Sequence, residues 1–266
     1  MTARPNSERP SSKWPSFART LYWRYRQRSE SVIGWSELAE RIYRDAEHRG
    51  PLSLAIVGNA GYLADLHQGA KIDECDLVLR MNNCQVKGYE RNVGYSTDIY
   101  MSNFYYDIDF SNPSIEDARY HISSRPNVFR KSRKTNILQR FGEHITEGML
   151  EGKIDLVYAP ESELFSQWCQ TLEREPTTGF MAIMLALETL SRVIDHVYVT
   201  GFSFFEGKSH YFSDATVDPF HSVATERDLI CRRLREEAME TGRFTFDPIL
   251  SQKLGLEDND RRRIAI

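Results

Sequence analysis

The chain has 266 residues, of which 41% are hydrophobic and 12% aromatic, enough for a full core in one large domain or two small ones. Its formal net charge of −4 and sequence pI near 6.0 supply no global basic field to attract nucleic acid. The absence of an 18-residue apolar run, of a basic-then-apolar leader and of C-x-x-C spacing among Cys75, Cys84, Cys169 and Cys231 argues against a membrane span, a secretory signal, a zinc site and a disulfide framework. It predicts a protein of the reducing cytoplasm.

Residues 1–34 form a basic-aromatic arm. Arg9, Lys13, Arg19, Arg24, Arg26 and Arg28 run without an acidic residue between them, interleaved with Trp14, Phe17, Leu21, Tyr22, Trp23 and Tyr25. This composition suits peripheral contact with an anionic membrane on its inner face; the alternative is an arm that stays loose or docks on the core. Over 35–50 the apolar set Trp35, Leu38, Ala39, Ile42, Tyr43, Ala46 has helical spacing, with Ser36 as cap and Gly50-Pro51 as stop. The main domain is 51–266.

Within it, short apolar runs at 52–57, 76–81, 98–102, 155–159 and 196–202 read as buried strands, alternating with helical patterns or polar loops. The pattern predicts an α/β fold, a single Rossmann-like domain with a mostly parallel central sheet flanked by helices. Residues 180–194 are apolar on most faces and read as a buried helix opened by Pro176-Thr177-Thr178-Gly179; a second, charged on its outer side, runs from His221 to Thr241.

Chemistry concentrates at element ends. The strand LAIV closes in Gly58-Asn59-Ala60-Gly61, which misses the dinucleotide G-x-G-x-x-G spacing and is followed by no Walker lysine. Glycines there allow close backbone approach, and Asn59 either orients a nucleotide or caps a turn. Asn82 stands at the end of the next strand. Thr177, Thr178 and Gly179 unite hydroxyls and N–H groups at a helix start, where a phosphate or carboxylate binds or where a threonine merely caps. His210, in HYFSD, and His221, in HSVATE, are candidate proton carriers, and Glu226 is expected to position the start of the His221 helix. Asp107-Ile108-Asp109 is an acidic pair of the kind that binds a metal, read here as a loop or strand-end feature. The basic segment 127–140 reads either as a solvated face or as one toward an anionic glycan or lipid.

Taken in order, these four motifs resemble those of glycosyltransferase family 29, the sialyltransferases. LAIVGNAG through RMNN and GYSTDIYMSN resembles their large motif and PTTGF through DHVYVTGF their small one; HYFSD and His221 to Glu226 resemble the third and very small motifs. The resemblance covers roughly 54–233 and implies a variant GT-A fold. It implies an inverting transfer of a 2-keto acid sugar, sialic acid with Kdo as the alternative, from its CMP-activated donor to a hydroxyl of a glycan or glycolipid, with no metal or other cofactor.

By matching position, the donor would meet Gly58, Asn59, Ala60, Asn82, Thr177, Thr178, Gly179, Gly201 and Tyr211. His221 would be the base, and His210 would stabilise the departing phosphate. The chain departs from the pattern at Ala60, where serine is common, and at Leu54 and Ile194, where the family has paired cysteines. That joint loss suits a bacterial-type cytoplasmic member. Loops 104–153 and 203–220 would shape the acceptor site. Two readings of other classes compete: a non-catalytic nucleotide or glycan-binding protein, and a Rossmann oxidoreductase or methyltransferase. The last predicts an acidic residue at the second strand end, where Arg80 and Asn82 stand.

Overall fold

The computed structural model describes residues 32–46, 50–103, 112, 115, 118–126, 157–204, 206–208, 210–213 and 222–256. Arm residues 1–31, Asp107, Asp109, the segment 127–140 and His221 lie outside the described residues. Among the described residues, no helix is long and apolar enough to cross a membrane.

Strand β1 (Val32–Gly34) leads into helix α1 (Trp35–Asp45), whose Trp35, Leu38, Ala39 and Ile42 are buried at the predicted helical spacing. The expected cap at Ser36 is corrected. Gly34 is the N-cap, and Ser36 lies inside the helix with its Oγ 3.5 Å from the Glu161 carboxylate.

Next come β2 (Ser53–Val57), a 3₁₀ turn (Gly61–Asp65), α2 (Gly69–Asp73), β3 (Leu77–Met81), α3 (Glu90–Val93), β4 (Ile99–Ser102), β5 (Tyr120–Ser123) and β6 (Val157–Ala159). Then α4 (Ser162–Leu172) precedes α5 (Thr178–Met184), which continues through a π turn (Leu185–Thr189) and a 3₁₀ turn (Leu190–Arg192). The chain closes with β7 (His196–Thr200), α6 (Val223–Thr241), β8 (Phe244–Phe246) and α7 (Pro248–Lys253).

The five apolar runs thus form β2, β3, β4, β6 and β7. Three further strands, β1, β5 and β8, join them, and β5 falls in a stretch read from sequence as loop.

All strand pairs are parallel, in the order β1-β6-β5-β4-β3-β2-β7-β8. Layers cover both faces, which is why the strands read as continuous apolar runs rather than alternating ones. One face carries Leu54, Ile56, Leu77, Leu79, Met81, Ile99 and Met101 into the larger core with α1, α5 and α6; the other carries Ala55, Val57 and Val78 against Leu63, Ile72 and Val93. Helix α5 is buried on every side, as its composition demands, with Phe180 through Ala186 fully excluded from solvent. Leu54 and Ile194 both lie in the larger core, so apolar packing occupies these positions.

The topology selects the site. From β2 the chain adds β3, β4, β5 and β6 to one side, then returns to lay β7 on the other flank of β2. The strand order therefore reverses at the β2–β7 pair, and the crevice outside the carboxyl ends of strands at such a point is where α/β sheets bind ligands.

Candidate functional site

Two glycines cross at the floor of this crevice. Gly58 N–H donates to Thr200 O at 2.8 Å and Ala60 N–H to Gly201 O at 3.0 Å, stitching the β2 loop to the β7 turn. A Cβ on Gly58 would stand 2.2 Å from the Gly201 carbonyl oxygen. Gly201 itself has φ +80°, a left-handed backbone that favours glycine. The close approach at Gly58 and Gly201 is backbone to backbone, and Ala60 is buried beside it.

Asn59 projects from the β2 loop with its amide Nδ2 donating to Met81 O at 3.0 Å, which draws the ends of β2 and β3 together. Asn82 follows Met81 in a left-handed conformation, φ 53°, that asparagine tolerates better than most residues. The side-chain oxygens of Asn59 and Asn82 and the Nδ1 of His210 are buried without a hydrogen-bond partner. Buried polar atoms are normally paired, and the two oxygens retain acceptor capacity that hydroxyl or amino donors can fill.

The start of α5 reaches the same edge, since a Cβ on Gly179 would stand 3.3 Å from the Phe202 ring and 3.9 Å from Met81 Sδ. Thr177 is its N-cap: its Oγ1 accepts from Phe180 N–H at 3.0 Å and donates to Glu226 Oε2 at 2.7 Å, while Thr177 N–H donates to Glu226 Oε1 at 2.9 Å. Glu226 is 2% exposed and belongs to α6. Sequence reasoning expected it to serve the start of its own helix; these bonds direct its carboxylate onto the start of α5. Thr177 is thus engaged in capping, and the first-turn N–H groups of Thr178 and Gly179, which lack intrahelical acceptors, form the positive end of the helix dipole.

From the segment after β7, Tyr211 N–H donates to Asn59 O at 3.0 Å and brings His210 to the crevice. Burial lowers the His210 pKa below its ordinary 6.5, favouring the neutral ring. The Tyr211 hydroxyl donates to Gln85 O at 2.5 Å and accepts from Gln85 N–H at 3.1 Å, a positioning role within the loop after β3.

Asn59, Asn82, Thr178, Gly179 and His210 are therefore brought together. Arg80, fully buried, points elsewhere: it donates to Val93 O at 2.6 Å, Ser96 O at 2.9 Å and Thr97 Oγ1 at 3.1 Å, pinning the loop before β4.

Sequence reasoning missed Tyr62 and Asp247. Asp247 caps α7, accepting from Leu250 N–H at 2.8 Å ahead of Pro248, and the Asp-Pro pair was a legible helix-start signal. Tyr62 carries no such signal.

Known proteins resemble this chain in sequence and in fold. The model of glycosyltransferase family 29 (sialyltransferase) matches residues 13–238. The type 2 lactosamine alpha-2,3-sialyltransferase of Homo sapiens is 27% identical over 212 residues, covering 65% of this chain and 59% of its own. The CMP-N-acetylneuraminate-beta-1,4-galactoside alpha-2,3-sialyltransferase of Mus musculus is 50% identical over 44 residues, 16% of this chain and 12% of its own. The chain thus spans less than two thirds of the curated relatives it matches. A crystal structure of a mammalian sialyltransferase in complex with Gal-beta-1-3GalNAc-ortho-nitrophenol shares the fold, with TM-score 0.50 and 18% identity over 91% of this chain and 90% of that one.

Proposed function

The chain belongs to glycosyltransferase family 29, the sialyltransferases, and on that premise we propose that it transfers sialic acid from CMP-sialic acid to a hydroxyl of a galactose-terminated glycan. The observation that carries this reading is the convergence of unpaired acceptors on Asn59 and Asn82 with the α5 start and His210 at one sheet edge. A nucleotide sugar presents both complements: hydroxyl and amino donors for the two asparagine oxygens, and a phosphate for N–H groups.

In the proposed reaction His221 takes the proton from the acceptor hydroxyl as its oxygen bonds to the anomeric carbon, with inversion, on the face opposite the breaking bond to phosphate. Positive charge grows on the sugar while CMP departs with the bonding pair. His210, through a ring N–H, and the N–H groups of Thr178 and Gly179 meet the departing phosphate oxygens, so stabilisation falls where charge develops. The proposal assigns no step to a metal ion.

The test incubates purified protein with CMP-sialic acid and a galactose-terminated acceptor, with and without EDTA, and reads the product by mass. A sialylated product formed equally in EDTA supports the reading. Transfer only from CMP-Kdo would replace the donor, strict dependence on a divalent ion would remove the metal-free mechanism, and CMP binding without transfer would leave a binding protein.

A further inference from the structure

A second polar network lies behind the crevice. Asp247 is 0% exposed and its carboxylate accepts four hydrogen bonds: from Tyr62 Oη at 2.9 Å, Thr200 Oγ1 at 2.8 Å, Gly201 N–H at 3.2 Å and Leu250 N–H at 2.8 Å. The Tyr62 hydroxyl in turn accepts from Gly201 N–H and Phe202 N–H, each at 3.0 Å. With one proton given and two lone pairs filled, that hydroxyl has no capacity left.

Two successive backbone N–H groups aimed at one point form a concavity that suits an anion. Here a neutral phenol fills it, kept protonated because burial, with the Asp247 carboxylate alongside, pushes its pKa far above the ordinary tyrosine value.

The turn held in this way contacts both the β2 loop and the start of α5. Gly201 O accepts the N–H of Ala60, next to Asn59. The Phe202 ring lies 3.2 Å and 3.3 Å from where Cβ atoms on Gly58 and Gly179 would stand, so it touches both the β2 loop and the α5 start. Any shift of residues 201–202 moves both partners of the nucleotide together.

We infer that Tyr62 and Asp247 are positioning residues for the nucleotide: through the Gly201-Phe202 turn they hold the Asn59 loop and the α5 start at the separation CMP requires. The inference rests on reading the crevice as a CMP-sugar site. It assigns function to residues 185 apart in sequence: Tyr62, inside the span read as the large motif but given no role there, and Asp247, outside all four motifs.

The experiment titrates CMP calorimetrically into the full chain as wild type, Tyr62→Phe, Asp247→Asn and the double variant, with amide exchange followed at Gly201 and Phe202. Tyr62→Phe, which removes all three hydrogen bonds of the hydroxyl, is expected to fold, to exchange faster at both amides and to weaken CMP binding roughly 10-fold, the equivalent of one bond's net contribution reaching the site through the turn. The double variant should be no weaker than the product of the single effects and should fall short of it, because both act through one turn. Should Tyr62→Phe not fold, Thr200→Val, which removes a single donor to Asp247, replaces it.

Tyr62→Phe with wild-type CMP affinity would overturn the inference and leave the donor reading standing. Wild-type protein that binds no CMP would overturn both, and unchanged exchange at Gly201 and Phe202 in Tyr62→Phe would overturn the clamp itself.

Discussion

Replacing Thr177 by valine keeps its volume and branching but deletes one oxygen that works twice. Phe180 N–H loses its 3.0 Å acceptor and the Glu226 carboxylate loses its 2.7 Å donor. An N-cap is worth about 1 kcal/mol, and a hydrogen bond to a buried charged group about 1.5–3 kcal/mol. The substitution should therefore cost about 3 kcal/mol, which in a chain of this size lowers Tm by roughly 6–12 °C. Thr177→Ser retains both bonds and should unfold close to wild type. Glu226→Gln turns an amide toward the Thr177 donors, and in a double-mutant cycle with Thr177→Val it should show coupling of about 0.5–3 kcal/mol. Scanning calorimetry on wild type and the four variants makes the measurement. Thr177→Val within about 0.5 kcal/mol of wild type, or effects that simply add, would refute the argument that Glu226 and Thr177 jointly fix the α5 start.

Gly58→Ala forces a Cβ to 2.2 Å from the Gly201 carbonyl oxygen, backbone against backbone, and should cost several kcal/mol and most of the soluble yield; Gly179→Ala, whose nearest neighbour is a ring atom at 3.3 Å, should fold. Because burial depresses the His210 pKa in the folded chain, its contribution is complete above the unfolded value of about 6.5 and declines as pH falls through the lower folded value. Urea midpoints at pH 7.5 and 5.5 should thus show wild type losing stability relative to His210→Asn, and parallel pH profiles would refute this. His221→Ala should lower kcat in the sialyl-transfer assay by about 10²–10⁴-fold with CMP affinity unchanged; near-normal turnover would remove it as the base.

What local sequence could and could not convey follows from where each element's information lies. β2, β3, β4 and β7 are buried on both faces over most of their length and are predominantly apolar, so each was legible as a run in spite of Arg80 in β3 and the polar residues at strand ends. β5 contains His121 and Ser123, both buried, and β1 and β8 have three residues each; these strands exist because a neighbour offers a ladder, and nothing in their own residues announces it. The site divides in the same way. Asn59, Asn82 and the Thr177 cap stand where strands end and a helix begins, boundaries that glycine, asparagine and threonine mark locally. Glu226 on Thr177 and Asp247 on Tyr62 are contacts between distant segments, and a single sequence holds no local trace of them.

The strand order also has a consequence for biosynthesis. As the chain emerges, β2 to β6 can assemble in the order they are made, each beside its predecessor, while the free flank of β2 stays uncovered. The crevice has only one wall until β7 and the Gly201 turn arrive, so a ribosome-bound chain truncated before residue 201 lacks the second wall whatever its secondary structure. At the opposite edge β1 is made first yet waits for β6 before it gains a partner, leaving an early strand whose edge must be shielded during synthesis.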